Sequence, residues 1–207
     1  MSLTNPFGDF EVTDPQAMRA LAHPVRLRIL AHLQRRGQST ATRLAPEVGA
    51  TPSVTSWHLR HLAKFGLVAD ADAGSDGRQR WWRATARGIW FDAPADDTDA
   101  QGLDAYRLLS MQLLSTGLDE IRAWATDTAP HLEPRWLRVS GTSNTTAPMT
   151  REEAEEIQLA IEKLLVPYVT RRDSGDVPAL ARPVKLLRYW LPEAEDESGA
   201  GNATGDA

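Results

Sequence analysis

Apolar positions recur at helical spacing in six stretches of the chain, and shorter runs between them read as strands. Asp14 before Pro15 is a strong helix start, and 15–22 and 24–36 read as consecutive helices broken at Pro24. The second turns Val25, Leu27, Ile29, Leu30 and Leu33 inward. Residues 39–49 predict a short helix with Leu44, Ala45 and Val48 inward, and Gly49 permits a tight turn after it. Thr51 can cap the next helix, Pro52 suits its first turn, and the pattern runs to Phe65 with Gly66 just past the end. Residues 67–69 and 79–84 then read as two strands joined by the turn-rich ADAGSDG.

The 52–65 helix has two contrasting sides. Thr55, Leu59, Leu62 and Phe65 make a core face, whereas Ser53, Ser56, Trp57, Arg60 and Lys64 lie opposite. Small hydroxyls, an aromatic and two cations are the groups that touch base edges and hold phosphates in a major groove. The plainer alternative is an ordinary solvated face, and the flanks decide against it. A short helix and a glycine turn precede, and a hairpin follows that carries Arg78, Arg80, Arg83 and Arg87 in or just after its returning strand. That order predicts a winged helix-turn-helix over 14–91, preceded by a flexible arm, 1–13. The candidate DNA contacts are Thr51, Ser53, Ser56, Trp57, Arg60 and Lys64 on the helix and Arg78, Gln79 and Arg80 on the wing. His58 is expected to be buried or bonded to backbone. His23 and His32 are expected to cap or support helices, because neither has a partner at metal-ligand spacing.

Acidic, breaker-rich residues 92–102 read as a linker, and 103–130 as a long helical segment. In it Leu103, Tyr106, Leu109, Leu113, Ile121 and Trp124 form one apolar stripe, with Leu108, Met111, Leu114 and Leu118 beside it. The combined arc is wider than one small domain covers, so the first stripe is the candidate homodimer contact; the alternative is that the chain's own C-terminal part covers both. Residues 131–192 predict a small α+β subdomain. Its strands would be 135–141 and 184–191, and its helix would open at a Thr150–Glu153 capping box, with Ala154, Ile157, Ile161, Leu164, Leu165 and Tyr168 on one face. Pro167 should kink or end that helix. Trp136, Arg138, Tyr168, Arg171 and Trp190 are a candidate pocket for a small-molecule effector. Residues 193–207 hold nothing to bury and are expected to be disordered. The fold class is thus mainly α with small β.

Charge sharpens this picture. The chain carries −5 overall, yet residues 15–91 hold 12 Arg and Lys against 4 Asp and Glu, leaving −13 on the remainder. A basic module inside an acidic chain is the footprint of a specific DNA binder. The chain has no cysteine, so it has neither disulfides nor thiolate metal ligands, which suits a reducing cytoplasm. No apolar run approaches the ~20 residues of a membrane span. There is no phosphate-binding glycine loop, no Gly-x-Ser-x-Gly and no His-Glu-x-x-His, and the acidic pairs Asp96–Asp97 and Glu152–Glu153 lie in linker or helix-start settings. No enzymatic activity, cofactor or metal is expected.

Three ordered motifs, LAHPVRLRIL at 21–30, SWHLRHLAKFGLV at 56–68 and GRQRWWRAT at 77–85, resemble the ArsR-type winged-helix repressors of bacteria, over roughly 14–91. Ser56, His58 and Leu59 match that family's Ser-x-His-Leu, and Trp81 and Trp82 stand where two wing aromatics usually stand. Thr55 departs from the usual apolar residue and Trp57 from a usual polar one. Nothing matches the cysteines or paired histidines and carboxylates of the family's metal and thiol sensors. The resemblance implies repression. Together with the residues it leads to a homodimeric, sequence-specific regulator reading an inverted repeat in double-stranded DNA. The alternatives are a winged helix that binds protein and an effector-dependent regulator with a C-terminal pocket.

Overall fold

The computed structural model describes residues 5, 7–72, 79–96, 98–171 and 175–194. The chain forms two units, Met1–Val177 and Pro178–Ala207.

The first four helices start where the sequence offers a cap. Asp14 accepts the Gln16 N–H at 2.8 Å to open α1, Pro15–Leu21, and His23 Nδ1 accepts the Val25 N–H at 3.2 Å to open α2, Pro24–Arg36. The Thr40 hydroxyl opens α3, Ala41–Val48, and the Thr51 hydroxyl opens α4, Pro52–Ala63, each through a 3.3 Å bond from the third residue on. Between α3 and α4 the chain reverses at Gly49, whose φ of 67° lies in the left-handed region. Leu21, Ile29, Leu44, Leu59 and Leu62 are all buried in one core between these helices.

The wing closes the other side of that core. β3, Val68–Ala71, and β4, Trp81–Ala84, pair antiparallel with Asp70 opposite Trp82. A short β2, Ser39–Thr40, adds to the far edge of β4, giving the order β2-β4-β3. Two residues carry too little periodicity to show β2 in the sequence. Trp82 points inward and is 2% exposed, while the loop between β3 and β4 falls at 73–78, outside the described residues.

The N-terminal arm differs from expectation. β1, Phe10–Glu11, pairs in parallel with β5, Ile89–Trp90, and Val12 is buried at 1% exposure. Phe10 and Val12 alternate with Glu11, so this segment places its apolar side chains against the module. A run of three was too short to read as a strand beforehand.

The long helix α5 spans Ala100–Ala123, opened by Asp99 accepting the Gly102 N–H at 2.9 Å, so residues 100–102 belong to the helix rather than the linker. A wide π turn, Trp124–Thr128, and a 3-10 turn, Ala129–His131, follow. The candidate dimer stripe divides. Leu109 is fully buried in the chain's own core, with Tyr106 and Leu113 packed against it, while Leu103, Ile121 and Trp124 are half-buried. The neighbouring stripe is the open one, with Leu108, Met111 and Leu118 exposed. Helical spacing identifies two stripes but carries no information on which one α1 covers.

The strand expectations for the C-terminal region need correction. Residues 134–137 form a helical turn, α6, because Pro134 pre-sets φ at its first position and the Glu133 carbonyl accepts the Trp136 N–H at 2.8 Å. Residues 181–194 carry no strand; Pro183 and Pro192 bracket the apolar run, and the 135–141 segment expected to pair with it holds the α6 turn and no strand. α7, Arg151–Val169, does form behind the reciprocal Thr150–Glu153 capping box. It runs two residues beyond Pro167, since a proline this near the end removes only a late hydrogen bond. Ile157, Leu164 and Tyr168 of its apolar face stay exposed. Residues 195–207 lie outside the described residues.

Candidate nucleic-acid interface

The outward face of α4 is built by its inward one. Leu59 and Leu62 are fully buried, and Thr55 is too, its hydroxyl donating to the Thr51 carbonyl at 2.9 Å. A buried threonine is thereby satisfied where an apolar residue would otherwise stand. With that side locked into the core, Ser53, Trp57, Arg60 and Lys64 face solvent, Ser56 is half-buried at the edge, and Thr51 is exposed at the cap. Arg60 lies back along its own helix, Nε donating to the Ser56 carbonyl at 3.3 Å, and the residue is exposed.

Trp57, 55% exposed, is held by its neighbours. Its indole stacks on His61 at 5.5 Å and meets His58 edge-on at 4.9 Å. His58 is buried at 5% exposure and also touches His23 at 4.7 Å. Burial, then the neighbouring charges of His23, Arg26 and His61, push its pKa down to about 4, so the ring is neutral near pH 7. His58 is thus a packing residue, and His23 caps α2. His32 stands 3.9 Å from Glu47, linking α2 to α3.

The wing's cations are less free than their spacing implies. Arg80 grips the Asp70 carboxylate across the hairpin, with Nη2 to Oδ2 at 2.8 Å, and lies 4.2 Å over the Trp82 ring. The same contact holds the exposed Asp70 carboxyl below its ordinary range. Arg87 donates to the Val169 carbonyl at the end of α7, at 3.3 Å. Arg83 and Gln79 are exposed, and Arg78 lies outside the described residues. A further cation joins this surface: Arg43 is exposed on α3 and lies 4.7 Å over the ring of Trp81, linking α3 to the wing. Its position on the outer face of α3 was legible, but its contact with the wing was not.

Residues 21–70 match the family model of a helix-turn-helix domain. A solved structure of a possible transcriptional regulator for arsenical resistance is 32% identical, over 54% of this chain and 97% of that one, with a TM-score of 0.29. This chain belongs, through its N-terminal half, to the ArsR-type winged-helix transcriptional regulators. A regulator homologue from Pyrococcus horikoshii OT3 is 25% identical over 50% of this chain and 94% of that one, TM-score 0.31. The winged helix-turn-helix domain of Mb0332 from Mycobacterium bovis, described as homodimeric, is 19% identical over 54% and 82%, TM-score 0.31. No curated protein matches.

In this ArsR-type module the two departures at α4 have structural consequences. Thr55 replaces an apolar residue without loss of burial, and Trp57 puts a large ring at the centre of the outward face. Elsewhere, the candidate effector residues Trp136, Arg138, Tyr168 and Arg171 lie in the first unit and Trp190 in the second. Arg171 lies 4.5 Å over the Tyr168 ring, Arg138 is exposed, and Trp190 belongs to the separate unit after Val177. A shallow depression of about 320 Å³ is lined by Gly8, Leu33, Gln34, Ala84, Thr85, Ala86 and Arg87 and includes none of the five. Among the described residues no group of three or more His, Asp or Glu could hold a metal ion, and no helix is long and apolar enough to cross a membrane.

Proposed function

We propose that the protein is a cytoplasmic, homodimeric repressor that binds an inverted-repeat operator in double-stranded DNA. The observation that carries this reading is the outward face of α4, where Ser53, Trp57, Arg60 and Lys64 are presented together by a helix whose other side is locked in the core. Each α4 enters a major groove with Ser53, Ser56, Trp57 and Arg60 toward the bases, while Thr51 and Lys64 approach phosphates at its two ends. Arg43, Gln79 and Arg78 flank the backbone. Arg80 joins them only by sharing its fork with Asp70, so it contributes less than an unpaired arginine. The exposed Leu108, Met111 and Leu118 of α5 supply the dimer contact, and two-fold symmetry sets the half-sites about 10 base pairs, or a multiple of that, apart. Catalysis has no part in this reading.

The test is selection of bound sequences from a randomised duplex pool, followed by a salt titration of the winner. An inverted repeat with a steep salt slope supports the dimeric regulator, whereas no enrichment moves the balance to a protein-binding winged helix. Arg60→Ala should then cost about 1 to 3 kcal/mol and relax the sequence preference, while Arg80→Ala should weaken all duplexes evenly. Equal, sequence-independent losses from both would remove Arg60 from the base-reading set. A small-molecule effector is a second reading, favoured by the Arg171–Tyr168 pair. A thermal-shift screen against metabolites checks it, and a flat result leaves the C-terminal region as an assembly element.

A further inference from the structure

Val54 and Trp57 are the large apolar side chains that α4 leaves in water, 45% and 55% exposed and one turn apart. Both lie in the first six residues of the helix, the end that a recognition helix brings nearest the base edges. Neither fills a core, and nothing in the winged-helix fold requires an apolar residue at either position. Trp57 is also pre-set: its stack on His61 and its edge contact with His58 fix the ring before any partner arrives. Around the pair stand Ser53, Arg60 and Lys64, exposed, and no carboxylate lies on this helix, so the apolar patch is rimmed for a polyanion. The apolar group that a duplex offers in its major groove is the 5-methyl of thymine.

We infer that Val54 and Trp57 read thymine methyl groups, making an apolar methyl contact a determinant of operator choice alongside the polar contacts of Ser53, Ser56 and Arg60. The inference rests on the duplex-binding reading above and adds a chemical identity to the base it recognises. Burying one methyl against these side chains is worth about a fourfold gain in affinity, and roughly fifteenfold when both half-sites of a two-fold operator contribute.

The experiment uses the full chain and the duplex selected from a randomised pool, with each thymine of the half-site replaced in turn by uracil, which removes the methyl and keeps the base pairing. A loss of about fourfold at one position per half-site is expected, together with Val54→Ala or Trp57→Ala proteins that bind the thymine and uracil duplexes alike. Val54→Ala is the safer variant, because the position is exposed and alanine is the better helix former. Uracil tolerated at every position, or a selected operator lacking a fixed thymine, overturns the methyl reading while leaving duplex binding intact. A uracil penalty that persists undiminished in both variants assigns the methyl to another residue and also overturns it. Absence of any selected duplex instead overturns the DNA-binding reading itself.

Discussion

α4 and α7 are both amphipathic helices opened by a threonine cap, yet they have opposite fates. Leu59 and Leu62 of α4 are completely buried, whereas Leu164 and Tyr168 of α7 stand 70% and 61% exposed. α7 even has the better start, a reciprocal capping box instead of a single hydroxyl. Local signals therefore specify that a helix forms, and only neighbouring elements decide whether its apolar face becomes core. α4 has α2, α3 and the wing around it; the strands that would have covered α7 do not form.

The sharpest test of that contrast is truncation in each region. Leu59→Ala removes a fully buried side chain and should cost about 3 to 5 kcal/mol in urea unfolding. A cost below about 1 kcal/mol would show that the N-terminal core is not the stabilising unit.

Acid should single out the same region. His58 is neutral and buried in the fold, with a pKa lowered to about 4, while the unfolded ring titrates near 6.5. Below pH 6.5 the unfolded state takes up the proton first, so this contribution is complete above that pH and is lost as pH falls toward 4. The loss is on the order of 2 to 3 kcal/mol, and His23, His32 and His61, whose pKa values are also lowered mainly by burial, act in the same direction. Unfolding midpoints between pH 7 and 4.5 check this, and His58→Asn should flatten the profile.

A smaller effect should appear at α5. Met111→Glu, at a 66% exposed position, should leave the unfolding of each chain nearly unchanged and weaken self-association by at least about tenfold, roughly 1.4 kcal/mol, in sedimentation. If Met111→Glu leaves association untouched, the contact lies elsewhere. Least of all should follow from Leu164→Ala on α7, within about 0.5 kcal/mol of the parent, because the side chain is already in water. A larger loss would mean that α7 is covered in the assembled protein.

Much of the module was legible beforehand, for reasons that are visible in its residues. Asp14–Pro15, His23–Pro24 and Thr51–Pro52 each combine a capping side chain with a proline whose φ is already helical, so α1, α2 and α4 open at the expected positions. The pairing of Phe10–Glu11 with Ile89–Trp90 was not legible, because it joins segments far apart in sequence, each only two residues long. Val54 was passed over at α4 because a lone valine reads as core until its exposure is known.

By itself, the sequence determined the order of the first four helices and of α7, the caps at Asp14, Thr51 and Thr150, the tight turn at Gly49, and the segregation of Ser53, Trp57, Arg60 and Lys64 from Leu59 and Leu62, since all of these follow from neighbours within a few residues. Tertiary structure alone decided which stripe of α5 α1 would cover, that Arg80 would close on Asp70 and Arg87 on the end of α7, and that Arg43 would reach Trp81. Each of those outcomes depends on two segments meeting in space, and periodicity along one segment carries no information about what the other will present.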